Sequence, residues 1–228
     1  DGWDIEAITN EYIVVDAPTL INKKAFKSEI NYSSDYSEII NGNPRSQLRC
    51  DYPEFVTNTD NNYIITLKTF MPALSQIDTI NYQRMAIMGL HQRYSTNLPL
   101  GNQNNASPCS IGINRNSYYF NHCHDSNYPA SEYNSRYIEF GNVSNDFDKW
   151  IRWDILYKSK QNNKGKIQIY KDGTRVINYI GQSAYLSPVQ EWNYLKVGLY
   201  KWDWHVLETT TSQHQMYYTD IEIKKYII

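Results

Sequence analysis

Residues 194–202 read Tyr-Leu-Lys-Val-Gly-Leu-Tyr-Lys-Trp, with an aliphatic residue at every second position up to Leu199. That period of two belongs to a β-strand. It sends Leu195, Val197 and Leu199 to one face and Tyr194, Lys196, Gly198, Tyr200 and Trp202 to the other. The pattern recurs in short blocks. Residues 63–70 alternate and stop at Met71-Pro72, and 83–93 form a longer, more apolar block. Residues 110–114 and 117–120 make a hairpin through Arg115-Asn116, while 150–157 pair with 166–170. Asp172-Gly173 is a hairpin turn before 174–179, and 217–227 close the chain. Helical periodicity is weak, with 145–150 as a single turn. Many short strands in 228 residues predict one all-β domain over 1–228. The expected form is a β-sandwich of jelly-roll type whose concave face is a groove for an extended ligand.

Composition narrows the function classes. A hydrophobic fraction of 41% supplies a core, and 21 Tyr with 6 Trp make the chain rich in aromatic rings. The net charge of -2 gives no global field towards nucleic acid or an anionic membrane. Neither partner is expected, and an anionic ligand must be met by a local basic patch. No apolar run reaches membrane-spanning length, and no signal peptide is visible. A chain beginning at Asp1, with Asn-X-Ser sequons at Asn31, Asn105 and Asn142, fits a trimmed, secreted protein. In a sequence this rich in Asn and Ser, chance accounts for the sequons about as well. Cys50, Cys109 and Cys123 are odd in number, so at least one is unpaired; a Cys109–Cys123 bridge is compatible with the sequence. Residues 95–107 and 159–165 are turn-rich loops.

Three constellations carry chemistry. Arg45-Ser46-Gln47-Leu48-Arg49 puts two guanidiniums and an amide on one strand face, a grip for a carboxylate or sulfate, although a solvated face of paired charges reads the same way. Gly89-Leu90-His91-Gln92-Arg93 puts His91 on one face with Arg93 and a bare glycine, which clears space beside the imidazole; a lone histidine is also commonly structural. On residues 194–202, Lys196 and Tyr200 share a face with only Gly198 between them, and a nearby cation favours a phenolate. His122-Cys123-His124-Asp125 could hold a metal with a distant ligand, but lacking a matching pair elsewhere it reads as polar loop, and no metal site is expected. No Gly-rich phosphate loop, nucleophile elbow or pair of glycosidase carboxylates is present.

Together and in this order, the three stretches resemble the jelly-roll polysaccharide lyases, the group of glucuronan, heparin-I-type and alginate lyases. Arg-Ser-Gln-Leu-Arg (45–49) is similar to their Arg-x-Glu-Leu-Arg strand, and Gly89-Leu90-His91 stands where alginate lyases carry Gln-Ile-His. Residues 194–200 match their Tyr-x-Lys-x-Gly-x-Tyr strand, and 141–202 look like the second half of glucuronan-lyase-like domains. Gln47 replaces the family's acid and Gly89 its glutamine, the latter departure favouring the glucuronan and heparin-I branches over alginate. The resemblance implies β-elimination beside a uronic acid in an acidic polysaccharide. Tyr200 would be the acid, and the base in syn geometry; His91 is the alternative base. Arg49 with Arg45 would neutralise the carboxylate, and Lys196 would tune Tyr200 or touch substrate. Gln47, Gln92, Arg93 and Tyr194 would complete the binding face, with Trp202 as a stacking platform. No cofactor is required; calcium could assist on a sulfated polymer, though no oxygen-rich calcium loop is present. A monomer acting outside the cell is expected. A non-catalytic carbohydrate-binding module is the rival reading.

Overall fold

The alternating blocks become strands because each has one apolar face to bury and one polar face to leave wet. A computed structural model of the chain describes residues 3–7, 12–32, 44–50, 61–73, 75, 77–80, 84–93, 107–125, 134–186, 192–202, 204 and 208–226. Among them run fourteen strands: β1 (Trp3–Ala7), β2 (Tyr12–Asp16), β3 (Lys24–Asn31), β4 (Arg45–Cys50), β5 (Asn62–Phe70), β6 (Met85–Arg93) and β7 (Cys109–Asn114). These are followed by β8 (Ser117–His124), β9 (Asn134–Phe140), β10 (Trp150–Lys158), β11 (Lys166–Lys171), β12 (Thr174–Ile180), β13 (Trp192–Tyr200) and β14 (Gln213–Tyr226).

They form two seven-stranded antiparallel sheets, ordered β1-β4-β13-β6-β7-β8-β9 and β12-β11-β10-β5-β14-β3-β2. The fold is the expected all-β sandwich. The late strands insert between early ones: β13 lies between β4 and β6, and β14 between β3 and β5. This insertion brings residues about 150 positions apart in sequence into direct register. Between the sheets lies one core. Leu90, Ile111, Phe120, Leu195 and Val197 from the first sheet pack towards Ile65, Leu67, Trp153 and Ile155 from the second, each at most 1% exposed. Burial of each such side chain is worth about 1.5–3 kcal/mol.

Several boundaries differ from the sequence expectation. The strand foreseen over 194–202 runs Trp192–Tyr200 and leaves Trp202 in the following turn. The single helical turn lies earlier, as a 3-10 turn at Val143–Asp146 capped by Asn142. Strand β14 starts earlier than foreseen, at Gln213, and runs through an irregularity at Asp220 (φ 53°). Strands β1, β2, β3 and β9 were not foreseen. In β3 the inward positions are Phe26, Ser28 and Ile30, and the buried serine interrupts the apolar alternation that would reveal the strand. The Asp172-Gly173 hairpin is present, with both residues at positive φ as such a turn requires.

None of Cys50, Cys109 and Cys123 forms a disulfide, so the Cys109–Cys123 bridge is not made. His122 is fully buried, its Nδ1 against the Pro108 carbonyl oxygen and its Nε2 2.8 Å from that of Gln182. Burial pushes its pKa down to about 4. The ring is thus held by backbone carbonyls, and no group of three or more metal-ligating side chains is assembled among the described residues. No described helix is long and apolar enough to cross a membrane.

Candidate active site

Strand order decides which polar side chains meet. On the outer face of the first sheet, cross-strand register runs Arg49–Lys196–Gly89–Ser110–Asn121–Tyr137, one residue from each of β4, β13, β6, β7, β8 and β9. The neighbouring row runs Arg45–Tyr200–Ala86–Gly112–Tyr119. Arg45, Arg49, Lys196, Tyr194, Tyr200 and His91, picked from three distant stretches, therefore lie on three adjacent strands.

The rings and cations interlock. Tyr194 faces His91 across the pair, and their rings stack with centroids 5.1 Å apart at 12°. From the other side, the Arg49 guanidinium lies 4.6 Å from the Tyr194 ring centroid. Tyr194 thus stands between a guanidinium and an imidazole. Gly89 explains how the imidazole fits: a Cβ there would come 3.0 Å from His91 Nε2 and 3.1 Å from Ser107 Oγ. Lys196 faces that glycine, and its Nζ is 5.7 Å from the Tyr194 ring.

Arg45 lies over Tyr200, 4.6 Å from the ring centroid, and Trp202 sits beyond it with ring centroids 5.8 Å apart. Arg45 and Lys196 are 6% and 9% exposed, whereas Arg49, His91, Tyr194, Tyr200 and Trp202 are part-exposed. Two cations shielded from water act more strongly on a nearby charge than the same cations at a wet surface.

Gly198 is the pivot of the catalytic-looking strand. Its φ is +126°, and a Cβ would stand 2.1 Å from the Ser46 carbonyl oxygen. Only glycine fits. Gln47, opposite Gly198, is 4% exposed and its amide nitrogen lies 3.4 Å from the Gly198 carbonyl oxygen. It braces the glycine from the outer face.

The structure also places Gln92, Lys196 and part of the neighbouring loop. Gln92 turns to the opposite side from His91, donating to the Tyr185 carbonyl at 3.2 Å and accepting from the Tyr185 N–H at 2.9 Å. It is a buried brace and not part of the face. Arg45 lies over the Tyr200 ring, and Lys196 Nζ stands 5.7 Å from the Tyr194 ring. The Arg93 side chain and most of loop 95–107 lie outside the described residues.

The sequence reading missed the far end of this face. Arg84 lies 4.2 Å over the Tyr137 ring, Tyr119 stacks on Tyr137 at 5.3 Å, and Tyr137 donates to Glu139 at 2.8 Å. Burial and that carboxylate push the Tyr137 phenol up to about 12. Alternation in residues 134–140 was the available signal. Also missed was Lys201, fully buried one residue after Tyr200, with Nζ 2.8 Å from Asp78 Oδ2 and 3.1 Å from His214 Nε2. Burial would raise the Asp78 carboxyl, but hydrogen bonds from Lys201 and Thr209 prevail and hold it at about 2.

The sequence model of the family described as polysaccharide lyase matches residues 1–222. No curated protein matches the chain by sequence. Among solved structures, the endo-β-1,4-glucuronan lyase of the fungus Trichoderma reesei is similar with a TM-score of 0.76 at 18% identity, over 98% of this chain and 91% of that one. An alginate lyase of polysaccharide lyase family 7 is similar with a TM-score of 0.60 at 11% identity, over 99% and 95%. A structure of botulinum neurotoxin type C, whose cell entry depends on interaction with two ganglioside molecules, is similar with a TM-score of 0.54 at 13% identity. That likeness covers 97% of this chain and 42% of the toxin chain.

Proposed function

The chain belongs to the polysaccharide lyase family, and from that premise we propose that it cleaves a uronic-acid-containing polysaccharide by β-elimination, with Tyr200 as the proton-transferring residue. The observation that carries the reading is the register of β4, β13 and β6, which gathers Arg45, Arg49, Lys196, His91 and Tyr200 on one face.

The chemistry needs those groups together. The hydrogen at C5 of a uronate is too weakly acidic to leave while the C6 carboxylate keeps its charge. Arg49 and Lys196, neighbours in one cross-strand row, neutralise the carboxylate and stabilise the enolate-like charge that follows. A base removes the C5 proton and an acid delivers one to the departing O4, leaving a C4–C5 double bond. Tyr200 fills the acid role, and in syn geometry the base role too; His91 is the base in anti geometry. Arg45 over the Tyr200 ring places positive charge close to the side chain on which negative charge develops. Trp202 stacks a neighbouring sugar.

The substrate proposed is a glucuronan-like polymer, supported by the better superposition with the glucuronan lyase than with the alginate lyase. Action on such a polymer places the protein outside the cell. A binding-only reading has the toxin likeness on its side, since one fold serves many functions. Incubation with glucuronan, heparin-like, alginate and neutral polymers separates the readings. Ultraviolet-absorbing unsaturated ends appear from a uronate polymer if the protein is a lyase; binding without new ends on every uronate polymer overturns the proposal.

A further inference from the structure

The strand that carries Tyr200 has one irregular point, and two hydroxyls from the opposite sheet meet it there. Val197 pairs with Met88 and Tyr200 with Ala86, so Gly198 and Leu199 together oppose Ile87. Strand β6 slips against β7 at the same residue, where Ala86 faces Gly112 and Met88 faces Ile111. Bulges of this kind leave backbone groups without ladder partners, and here those groups lie in the dry core, where an unmet N–H or C=O is costly.

Tyr218 of β14 meets the bulge on its β6 side, and Ser28 of β3 bridges the bulge residue Leu199 to Ser46 of β4 on the other side. Ser28 Oγ donates to the Ser46 carbonyl at 2.6 Å and accepts from the Leu199 N–H at 2.9 Å. Tyr218 Oη donates to the Ile87 carbonyl at 3.0 Å, directly across the bulge from Gly198 and Leu199. Ser28 is 0% and Tyr218 1% exposed, so neither reaches the outer face.

The slip has a consequence for Tyr200. Continuing the Val197–Met88 register without it would set Tyr200 opposite Met85, whose side chain belongs to the core. One residue of slip sets it opposite Ala86, with Arg45 on its other side. We propose that Ser28 and Tyr218 are positioning residues for Tyr200: a two-hydroxyl clamp from the second sheet that fixes the bulge and so aims the phenol. The proposal rests on Tyr200 being the proton-transferring residue.

The test uses Ser28→Ala and Tyr218→Phe, with Thr69→Val as a matched control. Thr69 offers its buried hydroxyl to the Trp153 indole N–H at 3.0 Å, away from the bulge. Each clamp variant is expected to lose about 10- to 100-fold in kcat with KM within about twofold, because a misaimed group costs rate and not affinity. Thr69→Val should lose melting temperature and keep its kcat at a temperature well below melting. Amide hydrogen exchange at Gly198 and Leu199 should accelerate at least about tenfold in the clamp variants and stay unchanged in the control. Wild-type kcat in both clamp variants, or unchanged exchange at both amides, overturns the clamp. Tyr200→Phe run in parallel distinguishes the two failures: if it is active, the reading of Tyr200 has failed. If it is inactive while Ser28→Ala and Tyr218→Phe turn over normally, only the clamp has.

Discussion

On the outer face of the second sheet, Lys23 and Lys68 both reach Asp220, at 2.7 and 2.9 Å, and Arg152 reaches Asp154 at 2.8 Å. Lys224 reaches Glu222 at 2.8 Å. An open groove of about 610 Å³ runs over these pairs, lined by Thr66, Lys68, Arg152, Asp154, Asp220 and Lys224 among others. On the outer face of the first sheet, Arg45 lies over the Tyr200 ring and Arg49 over the Tyr194 ring, and His91 stacks on that same Tyr194. The two faces hold similar cations and differ in what the cations meet. A lysine matched to a carboxylate has its field cancelled locally, and an exposed pair adds little stability. A guanidinium over a π face is oriented by the ring and keeps its charge. The groove over these matched pairs is a poorer place for a uronate, and the proposed function puts the site on the face with stacked cations.

Substitutions can break or sharpen this contrast. Tyr200→Phe should have the largest effect, a loss of turnover of about 10³-fold or more with polymer affinity nearly unchanged. Formation of unsaturated ends and affinity electrophoresis measure the two quantities, and a fully active variant removes the first face from the chemistry. Arg49→Ala should cost about 10²- to 10³-fold in kcat/KM, the scale of losing one preorganised charge stabiliser. His91→Ala should lower kcat about 10²-fold; a loss confined to KM would make His91 a binding residue.

A smaller effect should appear on acidification. The Asp78 carboxyl sits at about 2 against an ordinary 3.8. Its contribution to stability is complete above about pH 4 and is lost as pH falls through 2, leaving Lys201 buried without its counter-charge. Asp154 and Asp220 are depressed too, and act in the same direction. Melting temperature measured from pH 5 to pH 2 should fall, and a flat profile would contradict the pairing. Smallest of all is Arg152→Ala on the second face, expected to leave kcat/KM within about twofold. A loss as large as that of Arg49→Ala would erase the distinction between the faces.

Much of the fold was legible because period two is local: residues 63–70, 166–170 and 174–179 each state their own strand. Among the strands that escaped, β3 carries a polar residue where the pattern needs an apolar one. That residue is Ser28 on its inward face, and its reason lies on the other sheet, at Leu199. At the site, the side chains of residues 45, 49, 91, 194, 196 and 200 were legible as types. Their partners were not, as Gln92 shows by turning inward to Tyr185.

The sequence alone determined that this chain forms a β-sandwich and that Tyr194, Lys196, Gly198 and Tyr200 share one strand face, since alternation and residue type are properties of neighbours in the chain. The tertiary structure decided that β13 lies between β4 and β6, that Arg45 lies over Tyr200, and that Ser28 and Tyr218 hold the bulge. Those outcomes depend on pairing between residues about 150 positions apart and on contacts between two sheets. Pairing of that range is set by which strands can bury their apolar faces together, and no local pattern carries it.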